Sequence, residues 1–267
     1  MTKLAFGDVL SESFRFFFGN LALFFRLVTV PWIMHIAIWF VVVLVGDSSI
    51  GFVIGQKVLE VIPTVIFMTA WMRVVLLGPG RVGGVPGLGW SARETAVLVH
   101  LVKVAGMSFA LVAAMMMFVG SLDPREIGKL SPEELARMQS YLMPLSLGAL
   151  VSVVLALRVS FGIAGTAVDV PFSPRLSWVH GKGNGGTIIG VTLMLYILGN
   201  LVTAIVLLFV GSIVYGLFGR GIGALLVAWT ATSLVSFAAL GVLSTAQAII
   251  FRTLLAWREG RTLPAVA

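Results

Sequence analysis

Six stretches of the 267-residue chain, 27–45, 58–77, 96–120, 141–163, 187–209 and 223–250, are predominantly apolar and contain few charges. Each approaches or exceeds the roughly 20 helical residues needed to cross a hydrocarbon core about 30 Å thick. Lipid offers no hydrogen-bond partner to a peptide group, so such segments are expected to close their hydrogen bonds internally, as α-helices. Composition points the same way. Hydrophobic residues make up 59% of the chain and charged residues 11%, whereas soluble domains carry about 25% charged residues. The sequence predicts an all-α, polytopic transmembrane bundle of six spans, with residues 1–267 forming a single integral membrane domain.

The net charge of +7 is explained by the same architecture. Cytoplasmic loops of membrane proteins accumulate Lys and Arg. Placing residue 1 inside puts 13 of the 18 basic residues at the inner face and leaves Lys57, Arg125, Lys129, Arg137 and Arg220 outside. The expected orientation is therefore N-in/C-in. With no basic run and no soluble domain to carry a footprint, nucleic acid is not an expected partner. Trp71, Trp90, Trp178 and Trp257 fall at the inner interface and Tyr141 and Tyr215 at the outer one, as an aromatic belt would place them.

Asp8 and Glu12 precede the first apolar run, which is too long for the core of a secretion signal, so the first span is expected to be retained. Residues 1–20 read as a short amphipathic helix. Phe6, Val9, Leu10, Phe14 and Phe17 recur at spacings of three and four, with Asp8, Glu12 and Arg15 on the opposite face. Such a helix lies in the headgroup plane or packs on the bundle, and the sequence leaves both open. In the outer loop, Ser131-Pro132-Glu133-Glu134 has the order of a capped helix start. On the inner side, Ser173 is a cap, Pro174 a first helical residue and Gly181 a terminator. Ser13-Phe14 with Gly19-Asn20, and Ser177-Trp178 with Gly183-Asn184, have the same spacing and each precede a span, a weak parallel repeat of a kind that transporters use.

Signals for chemistry are sparse. Gly78-Pro79-Gly80-Arg81-Val82-Gly83 matches a dinucleotide fingerprint by letter, yet it follows a span and is broken by Pro79 and Pro86, so no nucleotide is expected. His35, His100 and His180 lie on separate elements without carboxylates at ligand spacing, and the chain has no cysteine. Neither metal nor cofactor is expected. Gly106-Met107-Ser108 resembles an intramembrane serine protease motif, but no histidine follows on a later span to act as base. His35 lies within a span, where an ionisable residue is a functional candidate, although an imidazole bonded to a neighbouring helix explains it more simply. Lys57 and Glu60 are three apart and suited to pair at the outer end of their helix. Arg26, Arg73, Arg158 and Arg252 sit at inner span ends, where snorkelling to lipid phosphates accounts for them.

Residues Arg158-Val-Ser-Phe-Gly-Ile-Ala-Gly-Thr-Ala-Val-Asp169-Val-Pro171, then Ser173-Pro-Arg175-Leu-Ser177-Trp178 and Gly183-Asn184, form a recognisable order. An Arg closes a span, an A-x-D-x-P turn follows, and S-x-R-x-S-W leads to G-N and the next span. This order resembles the YciC-like inner-membrane proteins and the membrane domain fused to some glycerophosphodiester phosphodiesterases. The resemblance covers about 30 residues and the six-span layout. It implies a multi-pass protein of a bacterial cytoplasmic membrane, and carries over no catalytic residue. The expectation is a non-enzymatic scaffold, accessory or envelope factor working through contacts with anionic headgroups, another membrane protein or a second copy. The alternative is a permease-like protein for a small or amphiphilic solute, built around His35, Lys57 and Glu60.

Overall fold

The computed structural model describes residues 2–46, 49–81, 90–120, 132–219 and 221–259, and among these every regular element is helical. In chain order they are α1 (Phe6–Gly19), α2 (Leu21–Val45), α3 (Ile50–Leu77), a single 3-10 turn (Pro79–Arg81), α4 (Ala92–Gly120), α5 (Pro132–Val159), α6 (Gly162–Ala167), α7 (Pro174–His180), α8 (Gly185–Phe218) and α9 (Ile222–Leu255). Four are long and apolar enough to cross a membrane: Leu21–Val45, Gly51–Leu77, Gly185–Phe218 and Ile222–Leu255. Ser146–Val159 in α5 is a shorter apolar run. Of the residues named above, Ser131, Arg125, Lys129, Arg220 and Pro86 lie outside the described residues, as do the side chains of Ser108, Glu134, Arg137 and Tyr141.

Helices α9 and α3 form the centre. In their most apolar windows 61% and 56% of residues are buried, against 11% for α2 and 6% for α8. The reason is written in α9, whose buried residues include many small ones. Gly241, Ser244, Thr245, Ala246 and Ala248 are buried, and α1, α2, α3, α6 and α8 all pack on this helix. Small side chains let helices approach where no hydrophobic force between them exists in lipid. A methyl group on Gly199 would come 2.8 Å from Ala239 Cβ, which is how closely α8 lies on α9. Two of its hydroxyls bond to its own backbone, as Thr232 donates to Ala228 O at 2.7 Å and Thr245 to Gly241 O at 2.8 Å.

An aromatic cluster fills the space between α1, α2, α3 and α9. Phe17, Phe24, Phe67 and Trp71 meet at centroid distances of 5.1 to 6.1 Å, mostly edge to face. Trp71 is fully buried and donates through Nε1 to Thr245 Oγ1 at 2.8 Å. Trp257 is 6% exposed. These two tryptophans belong to the core and not to the interfacial belt expected of them, because each has a helix-borne ring cluster to bury against. Trp90 and Trp178, at 43% and 41%, remain exposed.

The open choice for the first helix has an answer. Val9, Ser13 and Phe17 of α1 are buried, so its apolar face packs on the bundle. Glu12 on its polar side is bonded to Arg252 Nη2 at 2.6 Å. The fourth apolar stretch, expected to run to 163, breaks at Val159, and Gly162–Ala167 forms a separate short helix. Phe161 is fully buried at the break, and a methyl group on Gly162 would stand 2.9 Å from Phe172 and one on Gly165 2.6 Å from Phe251.

Candidate functional site

The inner ends expected of α3, α4, α5, α8 and α9 converge at one end of the bundle, and most of the motif residues meet there. Asp169 is the hub. It follows α6 with φ of 63°, a left-handed conformation that a short polar side chain tolerates better than most. Arg93 Nε donates to Oδ1 and Arg93 Nη2 to Oδ2, both at 2.8 Å, a fork-on-fork pair. Arg73 Nη1 reaches Oδ2 at 3.4 Å and Ala167 O at 3.1 Å. One carboxylate thus ties α3, α4 and the end of α6. The hydrogen bonds from Arg93 hold the Asp169 carboxyl below its ordinary range, outweighing partial burial, and the bond from Asp169 in turn raises Arg93.

The S-x-R-x-S-W segment folds as α7. Ser173 Oγ accepts from Leu176 N at 3.2 Å, with Pro174 in the first turn. Ser177 is fully buried and donates to Ser173 O at 3.3 Å, while Arg175 is exposed. Trp178 provides a surface for Arg158, whose guanidinium lies 3.5 Å from the ring centroid. On its other side Arg158 is so close to α8 that a methyl group on Gly185 would stand 3.3 Å from its Nε and Cζ. Arg158 is therefore stacked within the fold rather than extended to the headgroups.

Asn184, ahead of α8, is 6% exposed and clamps the segment before α1. Its Oδ1 accepts from Leu4 N at 2.8 Å and its Nδ2 donates to Thr2 O at 3.0 Å. Gly183 turns the chain into this position with φ of 81°, a conformation in which glycine carries no Cβ penalty. Asn184→Ala is expected to cost about 1–3 kcal/mol by leaving buried backbone groups unpaired, and to free the segment before α1. Trypsin cleavage after Lys3, followed by intact-mass spectrometry, should accelerate in the variant; an unchanged rate would mean that the segment is held by other contacts.

The two halves of the weak repeat can be compared. Ser13 and Ser177 are both fully buried and both donate to the carbonyl four residues back. Asn20 and Asn184 both sit immediately before a long apolar helix. Their side chains differ in use, since Asn20 Nδ2 bonds only its own turn, at Phe16 O.

Beside Asp169 lies an open cleft of about 420 Å³ between α4 and residues 166–174. His100 on its wall is 4% exposed, with Nδ1 2.9 Å from Thr166 Oγ1, while Nε2 has no hydrogen-bond partner. Pro171 lines the opposite side. The intramembrane polar candidates are not part of this site. Lys57 Nζ pairs with Glu60 Oε2 at 2.8 Å and Gln56 donates to Glu60 Oε1 at 2.6 Å. From Lys57 to Arg73 along α3 is about 24 Å at 1.5 Å per residue. His35 packs edge-on to Phe237 at 5.8 Å, and its Nδ1 is buried without a hydrogen-bond partner among the described residues.

Sequence reasoning missed Glu12, Arg73, Arg93 and His100 as members of this layer. Their partners lie 66 to 240 positions away along the chain, a relation that no local spacing reveals. Among the described residues no three His, Asp or Glu side chains gather as metal ligands would. The class defined by these helices is that of an all-helical protein with four elements able to cross a membrane. Comparison with family models, curated proteins and solved structures finds no match.

Proposed function

We propose that this chain is a six-span protein of a bacterial cytoplasmic membrane, with residues 2 and 259 on the inner side, and that it works without catalysis as a scaffold, accessory subunit or envelope factor. In this reading α4 and α5, helices of 29 and 28 residues, supply the two further spans. The observation that carries it is the polar layer at one end of the bundle. Asp169, Arg93, Arg73, Arg252, Glu12 and Asn184 are engaged in holding helices to one another. Such a layer builds a fixed inner surface for anionic headgroups, a membrane-protein partner or a second copy. The resemblance around Arg158–Asn184 supports the bacterial setting.

The permease-like reading draws less support. The opening of about 730 Å³ beside α2 and α3 has Gln56 as its one polar lining residue, and a solute path would call for more.

Two measurements test the proposal. The chain has no cysteine, so single cysteines report sidedness without background. Ser131→Cys should react with an impermeant maleimide from outside in intact cells, and Ser91→Cys only after lysis; the opposite pattern overturns the orientation. Pull-down from native membranes in mild detergent, with mass spectrometry of proteins and lipids, should recover a stoichiometric protein partner, a second copy or enriched anionic lipid. Recovery of one enriched small solute with neither would shift the function to transport.

A further inference from the structure

We infer that the cleft between α4 and residues 166–174 is a binding site for a phosphate ester carried by an amphiphile, the inner-leaflet anionic phospholipid being the natural source. The inference rests on the lipid-contact reading above and names where that contact is made.

Two observations carry it. Arg93, His100 and Lys103 lie at spacings of seven and three, one face of α4, and all three line the cleft of about 420 Å³. Lys103 lies about 15 Å further along the helix axis than Arg93, within the stretch expected to enter the membrane. It is exposed and engages in no hydrogen bond or ion pair among the described residues. A charge there is relieved by snorkelling to the inner interface or by an anion held in the cleft. The only carboxylate on the cleft wall is Asp169, which already accepts from two guanidinium groups. Glu94 is turned instead to Ser91, accepting from its N–H at 2.8 Å and from its hydroxyl. Cations therefore exceed carboxylates, and an anion is what the wall lacks.

His100 closes the wall without offering a free donor: it is 4% exposed, Nδ1 is 2.9 Å from Thr166 Oγ1, and Nε2 is itself shielded from the cleft. The second observation is the apolar part of the wall, Val99, Phe172 and Pro174. This suits the glycerol and first methylenes of a lipid, and a size of several hundred Å³ is usual for a small-molecule site.

The test uses the full chain in a non-ionic detergent, titrated calorimetrically with short-chain phosphatidylglycerol, short-chain phosphatidylcholine and inorganic phosphate in turn. Lys103→Gln removes the unpaired cation and breaks no contact of the fold. Lys182→Gln, outside the cleft, is the control. Wild type should bind phosphatidylglycerol saturably and more tightly than phosphatidylcholine, with the Lys103 variant weakened about tenfold or more and the Lys182 variant unchanged. Equal or tighter binding of inorganic phosphate, lost equally in Lys103→Gln, also supports the site and assigns it to a phosphorylated solute in place of a lipid. Saturable phosphatidylglycerol binding that Lys103→Gln leaves intact overturns the cleft but not the lipid-contact reading. Absence of saturable binding to any of the three overturns the cleft, and the pull-down then decides the broader reading by itself.

Discussion

Gly162→Ala is expected to destabilise the protein by about 2 kcal/mol, although alanine is the better helix former by up to about 1 kcal/mol. The added methyl would collide with the Ser177 hydroxyl and stand 2.9 Å from Phe172 Cδ1 and 3.3 Å from His100 Cε1. Ser177 is fully buried and short, so it cannot swing aside as a long side chain would. The collision pushes α7 off α6, and with it the shelf on which Arg158 rests. Thermal unfolding in detergent measures the effect, and a double-variant cycle identifies its origin. Ser177→Ala in the same chain should recover part of the loss, because the nearest obstacle has been removed, with a coupling of roughly 0.5–3 kcal/mol. An unchanged midpoint for Gly162→Ala, or strict additivity with Ser177→Ala, would show that the two helices do not meet as described.

Asp169 is the second position at which a small change should have a large effect. Asn keeps the tolerance for φ of 63° and removes the charge. Asp169→Asn is therefore expected to cost up to about 1 kcal/mol, because the carboxylate shared by Arg73 and Arg93 is 57% exposed and water screens the pairs. Asp169→Ala should cost a further 1–2 kcal/mol or so, since a Cβ without a local polar group is strained in the left-handed region. The pH dependence has a definite sign. The folded carboxyl titrates below its ordinary range because Arg93 hydrogen-bonds the ionised form. Its contribution is complete above the unfolded value near 4 and is lost as pH falls through the lower folded value. Wild type should thus lose stability on acidification in that window, while Asp169→Asn should show a smaller decline. Parallel declines would mean that Asp169 contributes no pH-dependent stability.

Much of the helical scaffold was legible because hydropathy needs no knowledge of neighbours. Pro132 and Pro174 begin helices where Ser-Pro predicts them, and the Lys57–Glu60 pair follows from a spacing of three. The break at Val159 was not legible. Apolar residues resume after Arg158 and continue to Ile163, while the close fit of Gly162 against Ser177 and Phe172 at the turn is a tertiary relation. The polar layer was half legible. Asp169, Arg158 and Asn184 stand out as polar residues in an apolar context, but their partners Arg93, Trp178 and Leu4 are distant or ordinary in sequence. Trp71 misled for a related reason: a tryptophan near a span end suits the interface and the core equally, and Thr245 at its indole nitrogen decides for the core.

The clamp on Leu4 has a consequence for how the chain is made. Asn184 is 180 positions further along, and the Arg252 partner of Glu12 is 240. A ribosome adding about 5–20 residues per second must work for many seconds after Glu12 is made before Arg252 exists. Throughout that interval α1, with its buried face of Val9, Ser13 and Phe17, has no α9 to pack against. Until then α1 has only Phe24 of α2 and Trp71 of α3 for Phe17 to meet, and the rest of its apolar side waits for the last helix. Assembly closes from the far end of the chain back onto its beginning.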